Sequence, residues 1–165
     1  MPPKVDPNEI KYIRIKVFGG EGGPAATLAP KLGPLGLNAK KVQEDIVKAG
    51  KKDYHGIRCM VELKCQNRAA TISVMPTSSA LIIKELGNHA RDRKKVKNVT
   101  HSGDLTLEAI KRIAKVMETE NKSMARTFAG TVKQVLGTAN SIGCTVNGSK
   151  PKDIIAKINN GEIVV

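Results

Sequence analysis

Gly130-Thr131-Val132-Lys133-Gln134-Val135-Leu136-Gly137-Thr138-Ala139-Asn140-Ser141-Ile142-Gly143 is the best-patterned stretch of the chain. Its apolar positions are Val132, Val135, Leu136, Ala139 and Ile142, spaced i, i+3, i+4, i+7 and i+10, which is one face of a 3.6-residue helix. The opposite face carries Gln134, Gly137, Thr138 and Ser141, a stripe of small and hydroxyl-bearing residues with no charge. A solvated face normally carries Lys and Glu. A mid-helix glycine costs about 1 kcal/mol relative to alanine, so Gly137 reads as a point where something approaches the backbone closely. Another protein helix would fit there, and so would RNA.

Charge favours RNA. The chain carries a formal +13 over 165 residues. Both halves share it, with +6 in residues 1–75 and +7 in residues 76–165. Such a surface attracts polyanions and releases counterions on binding, although charge alone would equally suit a membrane surface or heparin. Trp is absent, and the aromatic residues are Tyr12, Tyr54, Phe18 and Phe128. Stacking on single-stranded bases needs more aromatic platforms than that, so shape and backbone recognition of folded RNA is expected.

Length allows one large domain or two small ones. No apolar run approaches the ~18 residues of a membrane span, and no signal-peptide core follows Met1. Three cysteines without a secretory signal point to reduced thiols in the cytosol. Cys59 and Cys65 share a strand face but lie ~20 Å apart, too far for a common metal. His55, His89 and His101 have no ligand spacing, so no metal and no cofactor are expected.

Working outward, the first half reads as a small α/β unit. Ile13, Ile15 and Val17 alternate with Tyr12, Arg14 and Lys16 in one strand. Ile57, Cys59, Val61, Leu63 and Cys65 mark a second strand. Ala70, Ile72 and Val74 mark a third, paired with the second as a hairpin through Gln66-Asn67-Arg68. Between strands one and two, Asn38 caps a helix with Val42, Ile46 and Ala49 inward and Gly50 at its end. Pro76-Thr77-Ser78-Ser79 punctuates the two patterns as a linker, and Ser78 caps a short helix with Leu81, Ile82 and Leu86, ended by Gly87. Arg91-Asp92-Arg93-Lys94-Lys95-Val96-Lys97 carries +4 in seven residues. It reads equally as a solvated loop or as an arm that orders on phosphates. Thr106 caps the next helix, with a Leu105–Ile110 staple and Ile110, Ile113, Ala114 and Met117 inward. Pro151 opens a last helix with Ile154, Ile155 and Ile158 inward, ended by Gly161. The expectation is an α+β protein. Residues 1–75 form a three-stranded sheet with a helix, and the linker joins them to a compact, all-helical bundle over residues 76–165.

Two glycine-rich segments remain. Gly20-Glu21-Gly22-Gly23-Pro24-Ala25 fits a loose dinucleotide pattern, but Pro24, Pro30, Gly33, Pro34 and Gly36 are read as forbidding an ordinary helix before Asn38. Leu28-Ala29-Pro30-Lys31-Leu32-Gly33-Pro34-Leu35-Gly36-Leu37-Asn38 is accordingly expected as a stiff, partly apolar loop. It is either a structural connection or a rigid docking surface. Acids are scattered and no acid/base pair or activated nucleophile is visible, so no enzyme is expected.

Several of these segments occur together in order: Leu28 to Asn38, Gln66-Asn67-Arg68, Arg91 to Lys95, His101-Ser102-Gly103, Leu136 to Gly143 and Pro151 to Ile155. In this the chain resembles the universal large-subunit ribosomal protein eleven family, from Met1 to about Ile163. Met1 to Glu9 resembles its eukaryotic cytosolic branch, where the member is called protein twelve. The resemblance implies a non-enzymatic constituent of the cytosolic large subunit that binds the GTPase-associated region of the large rRNA at the stalk base. It also implies that the join between residues 1–75 and 76–165 is a hinge and that the all-helical bundle is an RNA-binding domain. It implies an RNA-binding set of Arg91, Arg93, Lys94, Lys95, Lys97, Gln134, Gly137, Thr138, Asn140 and Ser141, with the helix around Gly137 against the RNA minor groove. A loop of Pro30, Gly33, Pro34, Leu35 and Gly36 would face rRNA and translational GTPases, and stalk-base ribosomal proteins would be neighbours. Pro2 and Lys4 would be methylation candidates. No membrane or small-molecule partner is implied. Asn140 stands where relatives usually have Gln or Arg, and Asn88-His89-Ala90 where they usually have Pro-Pro.

Two rival readings are a helical nucleic-acid-binding regulator not resident on the ribosome and a nucleotide-dependent enzyme using the glycine loop. The first is disfavoured because the exposed stripe, with Gln134 as its one amide, lacks the array of Arg, Asn and Gln fork donors that reads a DNA major groove.

Overall fold

The alternation of Lys11–Phe18 does produce a strand, β1, and the rest of the fold builds on it. The structure is a computed structural model that describes residues 9–21, 23, 25–51, 53–87, 96 and 99–165. It divides into two compact units, Met1–Met75 and Pro76–Val165, each with its own apolar cluster.

In the first unit β1, β2 (Arg58–Gln66) and β3 (Ala69–Met75) form an antiparallel sheet in the order β1-β2-β3. The register runs from Lys11↔Cys65 to Phe18↔Arg58, and from Met60↔Met75 to Gln66↔Ala69. Period-two alternation turns Ile13, Ile15, Val17, Cys59, Val61, Leu63 and Cys65 toward the core. Asn67 and Arg68 both take positive φ (50° and 57°), the backbone a two-residue hairpin turn needs to match strand twist. All three cysteines are free and buried. Burial pushes each thiol upward, so they pack as apolar side chains.

Two expectations for this unit need correction. The segment Leu28–Asn38 is not an irregular loop. Ala25–Leu32 forms a helix, α1, with Pro30 inside it, and Gly33–Leu35 adds a 3-10 turn closed by Gly36 in the left-handed region. Leu28 and Leu32, one helical turn apart, are both fully buried. An interior proline costs about 3 kcal/mol, and two leucines at about 1.5–3 kcal/mol each offset it. The second helix, α2, spans Ala39–Lys51. Asn38 Oδ1 accepts from the Lys40 N–H at 3.0 Å, as a cap should. Its inward stripe is Val42, Ile46 and Gly50, while Ala49 is exposed. Gly50 lies inside the helix because Gly19 crosses there: a Cβ on Gly50 would sit 3.1 Å from Gly19 Cα.

The helix at Ala25 also removes the reason for dismissing the glycine loop. Topology supplies a better one. A dinucleotide site needs a parallel βαβ unit, and β1 pairs antiparallel with β2. Gly19 is turned onto the Tyr54 carbonyl, leaving no room for a Cβ.

The second unit packs α3 (Ser78–Glu85), α4 (Leu107–Thr119), α5 (Phe128–Ile142) and α6 (Pro151–Asn159) around one core. It is not all-helical. Asp104–Leu105 and Thr145–Val146 make a short parallel ladder, β4 and β5. Two-residue strands have no alternation to read, which is why periodicity missed them. Asp104 ties the ladder down, its Oδ1 accepting from Thr145 Oγ1 at 2.7 Å and from the Gly148 N–H at 2.8 Å. Those two hydrogen bonds hold its carboxyl below the usual aspartate range. The cap of α3 is Thr77, accepting from Ala80 N–H at 3.3 Å, and Ser78 is the first helical residue. Thr106 caps α4 as expected, accepting from Ala109 N–H at 3.2 Å. Pro151 opens α6, and Ile154 reaches the core.

Candidate nucleic-acid interface

Helix α5 begins two residues earlier than its apolar spacing suggested. Thr127 caps it by accepting from Gly130 N–H at 3.3 Å, and Gly143 closes it at φ 97°, its N–H bonded to the Ala139 carbonyl. Val132, Val135, Leu136 and Ala139 are buried against Ile82, Ile110, Ile113, Ala114, Val146 and Ile154. Burial on that side fixes which residues point outward.

Gln134, Gly137, Asn140 and Ser141 are exposed, and Thr138 is half-buried. A Cβ built on Gly137 meets nothing within 4 Å. No described residue of this chain therefore packs on Gly137, and the helix backbone there is open. Gly130, two turns earlier, shows the contrast, since a Cβ there would come 2.8 Å from Ala125 Cβ.

The outer hydroxyls are held by the helix itself. Thr138 Oγ1 donates to the Gln134 carbonyl at 3.1 Å and Ser141 Oγ to the Thr138 carbonyl at 2.7 Å. Such back-bonds hold short polar side chains close to the helix surface. A low, neutral, hydrogen-bonding ridge results, flanked by Lys133 one turn before Gly137.

Two partners escaped the sequence reading. Ser123 Oγ lies 2.7 Å from Thr131 Oγ1 and donates to Gln134 Oε1 at 3.1 Å, fixing the amide at one end of the stripe. It also meets the buried Thr131 hydroxyl, which reaches the Thr127 carbonyl at 3.5 Å as well. Ser78 Oγ lies 3.5 Å from Thr138 Oγ1, linking the start of α3 to the stripe. Both sit in turn-forming stretches whose composition names no partner. Lys122 Nζ reaches the Pro76 carbonyl at 3.0 Å, so the α4–α5 connection is tied to the same place.

Arg91, Arg93, Lys94, Lys95 and Lys97 lie outside the described residues, as do Pro2 and Lys4. In the first unit, Pro30, Gly33, Pro34 and Gly36 are exposed and Leu35 is half-buried, on α1 and the 3-10 turn rather than on a loop. They belong to a different compact unit from α5. Among the described residues, no cluster of three or more His, Cys, Asp or Glu is placed to hold a metal, and no helix is long and apolar enough to cross a membrane.

Family comparison agrees with both units. Residues 13–70 match the N-terminal domain of ribosomal protein L11, and residues 74–146 match its RNA-binding domain. The chain is 54% identical over 165 residues to large ribosomal subunit protein uL11A of Schizosaccharomyces pombe, covering 100% of this chain and 98% of that one. It is 53% identical to uL11 of Caenorhabditis elegans, over the same shares. Identity to uL11x of Arabidopsis thaliana is 49% over 163 residues, 99% and 97% of the two chains. These relatives are ribosomal proteins and not enzymes. With two domain models spanning most of its length and eukaryotic relatives matching end to end, the chain belongs to the ribosomal protein L11 family, in its eukaryotic branch.

Proposed function

We propose that the outer ridge of α5 lies against folded rRNA of the large subunit, and that this chain is a structural constituent of the cytosolic ribosome. The observation that carries the proposal is Gly137, an unpartnered mid-helix glycine inside the matched RNA-binding domain. A helix pays about 1 kcal/mol for such a residue, and the cost is compensated when a rigid partner needs the backbone within reach. The shallow minor groove of A-form RNA, lined with 2′-hydroxyls, fits a low neutral ridge of Gln134, Thr138, Asn140 and Ser141. The run from Arg91 to Lys97 supplies phosphate contacts around it.

The RNA is the GTPase-associated region at the stalk base, where stalk-base proteins are neighbours. The first unit, hinged at Pro76, presents Pro30, Gly33, Pro34, Leu35 and Gly36 toward rRNA and the translational GTPases that engage there. Pro2 and Lys4 are its methylation candidates. Co-sedimentation of the full chain with large subunits, together with binding to the isolated folded rRNA fragment, tests this reading. It requires saturable binding to that fragment and none to a duplex of equal length. Equal affinity for duplex DNA would favour a regulatory nucleic-acid-binding protein instead.

A further inference from the structure

The first unit has an open sheet edge beside an apolar groove. Gly19 continues the β1–β2 register and donates its N–H to the Ile57 carbonyl at 2.9 Å. In an antiparallel ladder, alternate residues bond across the pair. Lys11, Ile13, Ile15 and Val17 therefore face β2, and Tyr12, Arg14 and Lys16 turn their backbone N–H and C=O groups outward. Among the described residues no strand pairs with β1 on that side. Alongside runs a groove of about 610 Å3 between Ile10, Tyr12 and Ile13 and, across it, Lys31, Pro34 and Leu35. Ile10 and Tyr12 are 42% and 58% exposed.

Charge sets the kind of occupant. Glu9 holds Lys11 at 3.2 Å and Glu62 holds Arg14 at 2.8 Å. Lys16 and Lys31 are exposed and make no ion pair among the described residues, and Lys64 lies opposite Tyr12 on the outer face. An edge carrying cations discourages pairing with a second copy of itself. A polynucleotide could meet the cations, but its sugar–phosphate backbone does not present the alternating N–H and C=O groups that continue a β-ladder. An extended peptide meets both, with main-chain bonds for affinity and side chains for selectivity.

We propose that β1 accepts an added strand from a partner protein, an extended segment alternating aliphatic and acidic residues. Its aliphatic side chains enter the groove on the core side beside Ile13 and Leu35. Its carboxylates lie on the outer side near Lys16 and Lys64. This surface is separate from the α5 ridge. Its groove wall of Pro34 and Leu35 belongs to the segment read above as facing rRNA and translational GTPases, so the proposal rests on that part of the reading.

The test uses the full chain and an acetylated, amidated octapeptide of alternating Glu with Val or Ile. Backbone amide exchange is followed residue by residue. With peptide tenfold above its Kd, exchange at outward amides among Tyr12, Arg14 and Lys16 slows about tenfold, while Ile13 and Ile15 are unchanged. The double variant Lys16→Glu, Lys64→Glu binds the peptide about threefold to tenfold more weakly and gains affinity for the Lys-for-Glu peptide. Protection of the outward amides without peptide would assign the edge to this chain or a second copy and overturn the proposal. Equal protection by an oligouridylate of the same charge would overturn it too, as would no slowing at millimolar peptide.

Discussion

The outer side of α5 and the segment from Leu28 to Asn38 are both rich in residues that disturb helices, and both keep them on the open side, yet the two exposed surfaces differ in chemistry. On α5 the disturbing residue, Gly137, sits on the open side, and the inward side is an unbroken stripe of Val132, Val135, Leu136 and Ala139. In the first unit Pro30 is exposed while Leu28 and Leu32 anchor α1 from within. A helix tolerates an awkward residue wherever the opposite side is well buried. What distinguishes the regions is what the exposed side offers. α5 shows an open backbone with neutral hydroxyls, whereas α1 and its 3-10 turn show ring and aliphatic surface beside the β1 edge.

The comparison breaks most sharply in the two cores. Leu136→Ala and Leu28→Ala should each lose about 2–5 kcal/mol, the usual cost of deleting a buried leucine. Thermal or denaturant unfolding measures both. If Leu28→Ala left stability unchanged, Leu28 would be part of an exposed docking loop after all, and the two regions would differ in kind.

That point also shows how far the chain could be read. Strands of seven to nine residues were legible because alternation over that length is unambiguous. The face of α5 was legible because its inward stripe is continuous. Helix α1 was not, because Pro30, Gly33 and Pro34 are local signals, while the burial of Leu28 and Leu32 depends on strands distant in sequence. β4 and β5 were invisible for the same reason, being held by Asp104 reaching across to Thr145 and Gly148. Of the candidate site, the ridge was legible and its supports, Ser123 and Ser78, were not.

The next effect separates charge from shape. Changing Arg93, Lys94 and Lys95 together to Ala should flatten log affinity for rRNA against log salt by about two to three units. An unchanged slope would make the run a solvated loop. Thr138→Val should lower affinity by about 1 kcal/mol, the net worth of one hydrogen bond, with the slope unaltered. A slope change there would mean the ridge acts through rearranged charges.

The smallest effect concerns the ladder that supports the second unit. Asp104 has a depressed folded-state pKa, so its contribution is present above the ordinary aspartate value of about 3.9 and fades as pH falls through its folded value. Asp104→Asn should lose part of that acid dependence. Superimposable pH–stability curves for the two proteins would show that the carboxylate contributes nothing.

Gly137→Leu, measured for binding and unfolding on the same full-length sample, tests the central claim most directly. Leucine raises helix propensity by several tenths of a kcal/mol, and a Cβ at this position meets no described residue within 4 Å. The melting temperature should hold or rise slightly, while affinity for the folded rRNA fragment falls at least about tenfold, a loss of 1.4 kcal/mol or more. Normal binding by a variant that melts earlier would contradict the account, because Gly137 would then pack inside the protein and not against RNA.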